Sequence, residues 1–322
     1  MLNHRFYVST LIVLAVTLNL SDLHAQEYPT RTIRIITGTA GGITDLMSRL
    51  IAQGVAASVG QSVIVDNRGG GGIIAGPLLE KSAPDGYTII LYSSTIWLTP
   101  LMRDNPPYDA LRDFAPITMA AESPNVLVLH PSVPAKSVKE LIALAKSRPG
   151  VLNYASTGGG AGPHLGAELF KSLAHVDIQR INYKGTAPAL TDLLSGQVQM
   201  MFCPPVAAMP QVKVGKLRLL GVSSAQRSAL VPDVPTIAAG GLPGYEVVSK
   251  YGMFAPAKTS TVLVTRLNQE IVRVLKQSDM ASKLLDAGAE AIANSPQEAL
   301  AMMQAELIKI GKVIKEAGIR EE

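Results

Sequence analysis

With one cysteine in 322 residues, Cys203, no intramolecular disulfide can form. The surrounding stretch, "QMMFCPP", is apolar and fits a small buried hydrophobe better than a reactive thiol. Aromatic residues make up only 5%, and lysines and arginines are scattered. A nucleic-acid-binding face is therefore not expected. The histidines (His4, His24, His130, His164, His175) show no metal spacing, and the single cysteine adds no ligand cluster. There is no Gly-x-Ser-x-Gly nucleophile elbow, and no Gly-Lys-Ser/Thr ending for a phosphate loop. Past residue 25 no apolar run is long enough to span a bilayer. Neither a cofactor nor a metal is expected, and the mature chain is expected to be soluble.

The beginning of the chain has its own pattern. His4 and Arg5 precede a mostly apolar run from Phe6 to Leu20, and Ala25 follows as a small residue. That order predicts a secretory signal peptide over 1–25, cleaved near Ala25, and hence an exported protein. The rest is long enough for two domains. The net charge of +4 is a weak preference for anionic small molecules.

Short apolar segments alternate with helical patterns. "TIRIIT" (32–37), "SVIVD" (62–66), "YTIILY" (87–92) and "NVLVLH" (125–130) read as strands. So do "VLNYAS", "VDIQRINY", "QVQMMF" and "KLRLLGV", and helical spacings lie between most of them. The last helix is expected to gather Met303, Leu307, Ile310 and Ile314 on one face. Such alternation predicts an α/β fold with parallel sheets. Two runs of it predict two lobes, with crossovers near Glu122–Pro124 and Leu242–Tyr245.

Glycine-rich turns follow three strands: "TGTAGGITD" (37–45), "NRGGGGIIAG" (67–76) and "STGGGAGPH" (156–164). Ligands in open α/β sheets sit at the carboxyl ends of strands. Helix N-termini there offer unpaired N–H groups and a partial positive charge. Glycine lets an anion approach that backbone, and hydroxyls add donors. Ser156, Thr157 and Gly158–Gly160 are therefore candidates for cradling a carboxylate. Thr44 and Asp45 read as cap or first-turn residues of the helix after the first turn. His164 reads as a structural residue beside the third turn. No set of side chains forms a catalytic group, so binding without turnover is expected.

Read together, these stretches resemble the tripartite tricarboxylate transporter receptors, also called the Bug family. The resemblance is carried by "YPTRTIRIIT", "GGITD", "VIVDNRGGGG", "PDGYTIILYSS", "LNYASTGGGAGPHLGAELFK", "INYKGTAPALTDLLSGQVQMMF" and "YGMFAPA". It implies a two-lobed Venus-flytrap periplasmic binding protein of type II-like architecture, with a parallel-rich sheet in each lobe and helices on both faces. Lobe 1 would comprise 26–124 and 246–322, and lobe 2 would comprise 125–245. The implied ligand is a small organic carboxylate, delivered by a monomer to membrane permease subunits of a tripartite tricarboxylate-type transporter. Site residues implied in lobe 1 are Thr39, Ala40, Gly41, Gly42, Thr44, Asp45, Ser94 and Thr95. In lobe 2 they are Ser156, Thr157, Gly158, Gly160, Lys184, Gly185, Thr186 and Cys203.

Three positions depart from the family's usual pattern. Gly38 stands where a cleft aromatic is usual, Ile73 where a glycine is, and Cys203 where an aspartate is common. Losing that carboxylate removes an acceptor, including a partner for a ligand amine. Two alternatives to transport are a sensor that signals to a membrane kinase and an exported hydrolase that uses His164.

Overall fold

The computed structural model describes residues 28–69, 71–157 and 160–320. The expected signal peptide lies outside them. The first elements in the chain are β1 (Ile33–Thr37), α1 (Ile43–Val59), β2 (Val63–Asn67), α2 (Gly72–Glu80) and β3 (Thr88–Ser93). Two short helices, α3 (Thr95–Leu98) and α4 (Ala110–Asp113), flank a 3-10 turn over Thr99–Met102. Next come β4 (Phe114–Pro124), β5 (Val126–Leu129), α5 (Val138–Ser147), β6 (Asn153–Thr157), α6 (Gly162–Ala174) and β7 (Gln179–Tyr183). They are followed by α7 (Thr186–Leu194), β8 (Met200–Cys203), α8 (Pro205–Lys213) and β9 (Arg218–Val222). The chain closes with β10 (Val248–Pro256), α9 (Thr261–Leu275), α10 (Ser278–Asp286), β11 (Glu290–Ala291) and α11 (Pro296–Glu316).

The strands form two sheets, in the orders β11-β4-β10-β3-β1-β2 and β7-β6-β8-β5-β9. They share a pattern. Three adjacent parallel strands (β2, β1, β3 and β7, β6, β8) are followed by one reversed strand, then one restored in direction. The sheets are thus mixed, where the alternation predicts parallel ones. The reversed strand in each sheet is the one that has just crossed from the other: β5 follows β4, and β10 follows β9. A strand that enters from the far side runs against its new neighbours, and no local pattern encodes that.

The crossing from β4 to β5 takes one residue, Asn125. It fixes how the sheets face each other. In the first sheet, Ser93 at the end of β3 pairs with Tyr251, which pairs with Ala121 of β4. In the second, Cys203 at the end of β8 pairs with Val126 of β5. Five residues of nearly extended chain therefore separate the two carboxyl edges, roughly 16 Å at strand rise. The carboxyl ends of both parallel trios open onto one gap.

Helices bury the sheet faces. Phe114 and Met119 of β4 enter a core shared with Met303, Ile310 and Ile314 of α11, whereas Ile117 and Ala121 enter a second core with Leu267 and Ile271 of α9. The first of these cores continues into Leu165, Leu169 and Phe170 of α6, so α11 packs on both lobes. Burying each such side chain contributes about 1.5–3 kcal/mol. The helix starts cleanly because Ser295 and Glu298 form a reciprocal capping box.

Candidate functional site

The parallel register brings Thr37, Asn67 and Ser93 to one edge and Thr157, Tyr183 and Cys203 to the other. From the first edge the chain enters a turn of Gly38, Thr39, Ala40, Gly41 and Gly42 before α1. Gly41 has φ +79°, a left-handed conformation that glycine adopts without strain. Its N–H donates to Asp45 Oδ2 at 2.9 Å. Asp45 Oδ1 accepts from Asn67 Nδ2 at 2.9 Å and faces Arg49 Nε at 2.9 Å. Asn67 also donates to the Gly38 carbonyl at 3.0 Å. These hydrogen bonds, first that from Gly41, hold the Asp45 carboxyl down at about 2. Asp45 is buried and makes no side-chain cap bond of the ordinary kind; it ties the turn to α1.

The second lobe repeats this device. Gly160 has φ +70°, and its N–H donates to Nδ1 of His164 at 3.0 Å, again four residues on. Thr37 corresponds to Ser156, Gly41 to Gly160 and Asp45 to His164. Burial, with Arg180 adding to it, lowers the His164 pKa to about 4, so the ring is neutral near pH 7. With Nδ1 accepting, the proton sits on Nε2. His164 is 4% exposed. It holds the turn as a structural residue.

Thr37 and Ser156 are both fully buried, and neither hydroxyl has a hydrogen-bond partner among the described residues. An unpaired buried hydroxyl costs about 1–3 kcal/mol. Thr37 ends β1 and Ser156 is the next-to-last residue of β6, each just before its turn.

Contacts lead from one turn to the other. Thr39 Oγ1 lies 3.3 Å from where a Cβ on Gly69 would sit. A Cβ on Gly72 would come within 2.8 Å of the Ile96 backbone in α3. The chain then runs from α3 into the 3-10 turn, whose Met102 would meet a Cβ on Gly160 at 2.4 Å. The two glycine turns thus belong to one region of the molecule.

The other expected residues distribute as follows. Thr39, Ala40, Gly41 and Gly42 are exposed, and Thr44 is half-buried. Thr44 Oγ1 and the Tyr92 ring take up the space a side chain at Gly38 would need. Ser94 is buried; its N–H donates to the Lys250 carbonyl at 2.7 Å. Thr95 Oγ1 is 2.8 Å from Ser93 Oγ. Thr157 ends β6, and Gly158 lies outside the described residues. Lys184 is exposed, and Gly185 and Thr186 begin α7. Cys203 has the carboxyl-end position expected of it, but its side chain lies in the lobe 2 core, fully buried, with burial pushing the thiol up to about 12. In place of the aspartate common there, the chain has a neutral group turned inward. Asn67, Met102 and Thr37 were not singled out in the sequence. Asn67 had a signal, since it ends a strand beside a glycine run; Met102 had none.

Two α/β lobes with matched glycine turns across a shared gap define a solute-binding protein of the flytrap class. The chain belongs to the tripartite tricarboxylate transporter family of receptors, whose model matches residues 47–319. It is 34% identical to protein BugT of Bordetella pertussis over 304 residues, 93% of each chain. Rpa4515 of R. palustris, solved with adipate, superposes with a TM-score of 0.75 at 38% identity, over 91% of this chain and 99% of that one. MatC (Rpa3494) from Rhodopseudomonas palustris, with bound malate, gives a TM-score of 0.72 at 32% identity, over 89% and 100%. The family consists of periplasmic solute receptors.

Proposed function

We propose that this protein captures a small carboxylate-bearing metabolite between its lobes and delivers it, as a monomer and without a cofactor, to permease subunits of a tripartite tricarboxylate-type transporter. The observation that carries the reading is the pair of turns. Each places a left-handed glycine, locked by the side chain four residues on, beside a buried hydroxyl with no partner among the described residues. Closure around an anion would give those hydroxyls partners and exclude water, which strengthens each bond. A ligand that prefers the closed form shifts the lobe equilibrium by its differential affinity.

Strand membership of the two sheets supports taking 26–124 with 246–322 as one lobe and 125–245 as the other. The leader is proposed to be cleaved near Ala25, leaving the receptor in the periplasm. Catalysis is no part of this reading, because His164 spends Nδ1 on the turn it supports.

The adipate and malate of the two relatives set the first probes. A ligand selective for the native state raises the melting temperature, by about 2.7 kcal/mol of stability at a hundredfold excess over Kd. Thermal shift of purified mature protein against linear and hydroxylated dicarboxylates is the test. Melting that is unmoved by every one of them at millimolar concentration would overturn the reading.

A further inference from the structure

We propose that the cleft selects carboxylates that carry no protonated amine. This rests on the solute-receptor reading above and narrows its ligand class. The described residues at the carboxyl edges fall in 37–45, 67–69, 71–72, 93–95, 156–157, 160–164, 183–186 and 203–205. Their sequences contain one acid, Asp45. Both of its oxygens are committed, Oδ2 to the Gly41 N–H and Oδ1 to Asn67 and Arg49. Of the neighbouring acids, Glu122, close to the crossing from β4 to β5, stands opposite Lys250 of β10, and the two nearest these segments along the chain are committed as well. Asp66 faces Arg68 at 3.0 Å and Arg34 at 3.6 Å, and Asp192 accepts from the Tyr183 hydroxyl at 2.7 Å.

What the cleft offers a guest is mainly donors. His164 accepts from Gly160 through Nδ1, which leaves an N–H as the ring's other polar group. The Thr37 and Ser156 hydroxyls have protons to give and no partner among the described residues. Lys184 adds positive charge from these same segments, while Arg68 is paired with Asp66. A carboxylate entering this region meets N–H, O–H and cationic groups. An ammonium finds hydroxyl lone pairs there, but no free carboxylate among the described residues of these segments to balance its charge. A buried charge left without a partner is costly, so the amine-bearing analogue is rejected more strongly than its size alone would require.

The experiment is isothermal titration calorimetry of the full mature protein at pH 7 with matched pairs: malate against aspartate, glutarate against glutamate, and adipate against 2-aminoadipate. At least one non-amino member is expected to bind, with its amino partner at least about tenfold weaker, a difference of about 1.4 kcal/mol. An amino member that binds as tightly as its partner, or tighter, overturns the inference and leaves the receptor reading standing. If no member of any pair binds, the receptor reading fails and the inference falls with it.

Discussion

Met102 of the first lobe lies directly against Gly160 of the second: a Cβ on Gly160 would come within 2.4 Å of both the sulfur and the terminal methyl of Met102. The same glycine has φ +70°. Gly160→Ala therefore meets two separate obstacles. The left-handed backbone costs alanine about 1–2 kcal/mol, and the methyl overlaps Met102. Met102→Ala relieves only the second. In a double-mutant cycle on thermal stability, the combined loss should be smaller than the sum of the single losses. Strict additivity would mean that the two lobes do not touch here.

Ser156→Ala should separate binding from folding. In the free protein it removes a buried hydroxyl that has no partner among the described residues, so stability should hold or rise slightly. Ligand-induced stabilisation should fall, by a Kd increase of about tenfold for one lost hydrogen bond to a charged group. Calorimetry with whichever dicarboxylate binds the native protein checks this. A variant that is destabilised yet binds normally would assign Ser156 to the scaffold.

Acid should weaken the fold in two stages. The His164 pKa is depressed from 6.5 to about 4, so the unfolded chain binds the proton first. The stability linked to the neutral ring is present above pH 6.5 and is lost as pH falls towards 4. Asp45 is depressed from 3.8 to about 2, so its contribution is lost over that lower range. His164→Gln should remove the upper stage and Asp45→Asn the lower, as read from melting temperature against pH. An unchanged upper stage in His164→Gln would show that another group titrates there.

Glu306 should act with the opposite sign. It lies on α11 and is 8% exposed. It accepts from Trp97 Nε1 at 3.3 Å, and Lys250 Nζ is 3.7 Å from the same oxygen. Beside it is a cavity of about 200 Å³ that Glu246 and Lys309 also line. Burial raises the Glu306 pKa, against the pull of Lys250 and with help from Glu246 and Glu122. The folded chain then binds a proton before the unfolded chain does, so this contribution grows as pH falls towards the ordinary carboxylate range. Glu306→Gln should abolish that gain. Equal pH slopes in the two proteins would count against it.

Most strands, and all three glycine turns, could be read from local pattern, because a parallel strand between helices is a short apolar run and its turn needs glycine. The longest strand, β4, could not. Its sequence, "FAPITMAAESP", has two prolines and several small residues. Both faces are covered and the pairing with β10 slips twice, at Ala120 and at Ile117, so Ile117 and Met119, two residues apart, enter different cores and no alternation shows. Helix α2 was hidden by the glycine run before it and by Pro77 within it. At the site, Asp45 read as a helix-start residue, but its grip on Gly41 depends on a turn that only the folded chain displays. Met102 reaches Gly160 from 58 residues away, a meeting set by the packing of the lobes and by nothing near Met102 in the sequence.

The place of β10 has a consequence for how the molecule comes into being. It fills the slot between β3 and β4, which do not pair with each other. Until residue 248 is available, those two strands have nothing to close the space between them, and the first sheet stays unfinished while the whole second lobe is being made. If the chain is exported as proposed, it gains from such a delay: the first sheet cannot be completed early, and the last quarter of the polypeptide, from Val248 on, locks what β1 to β4 began.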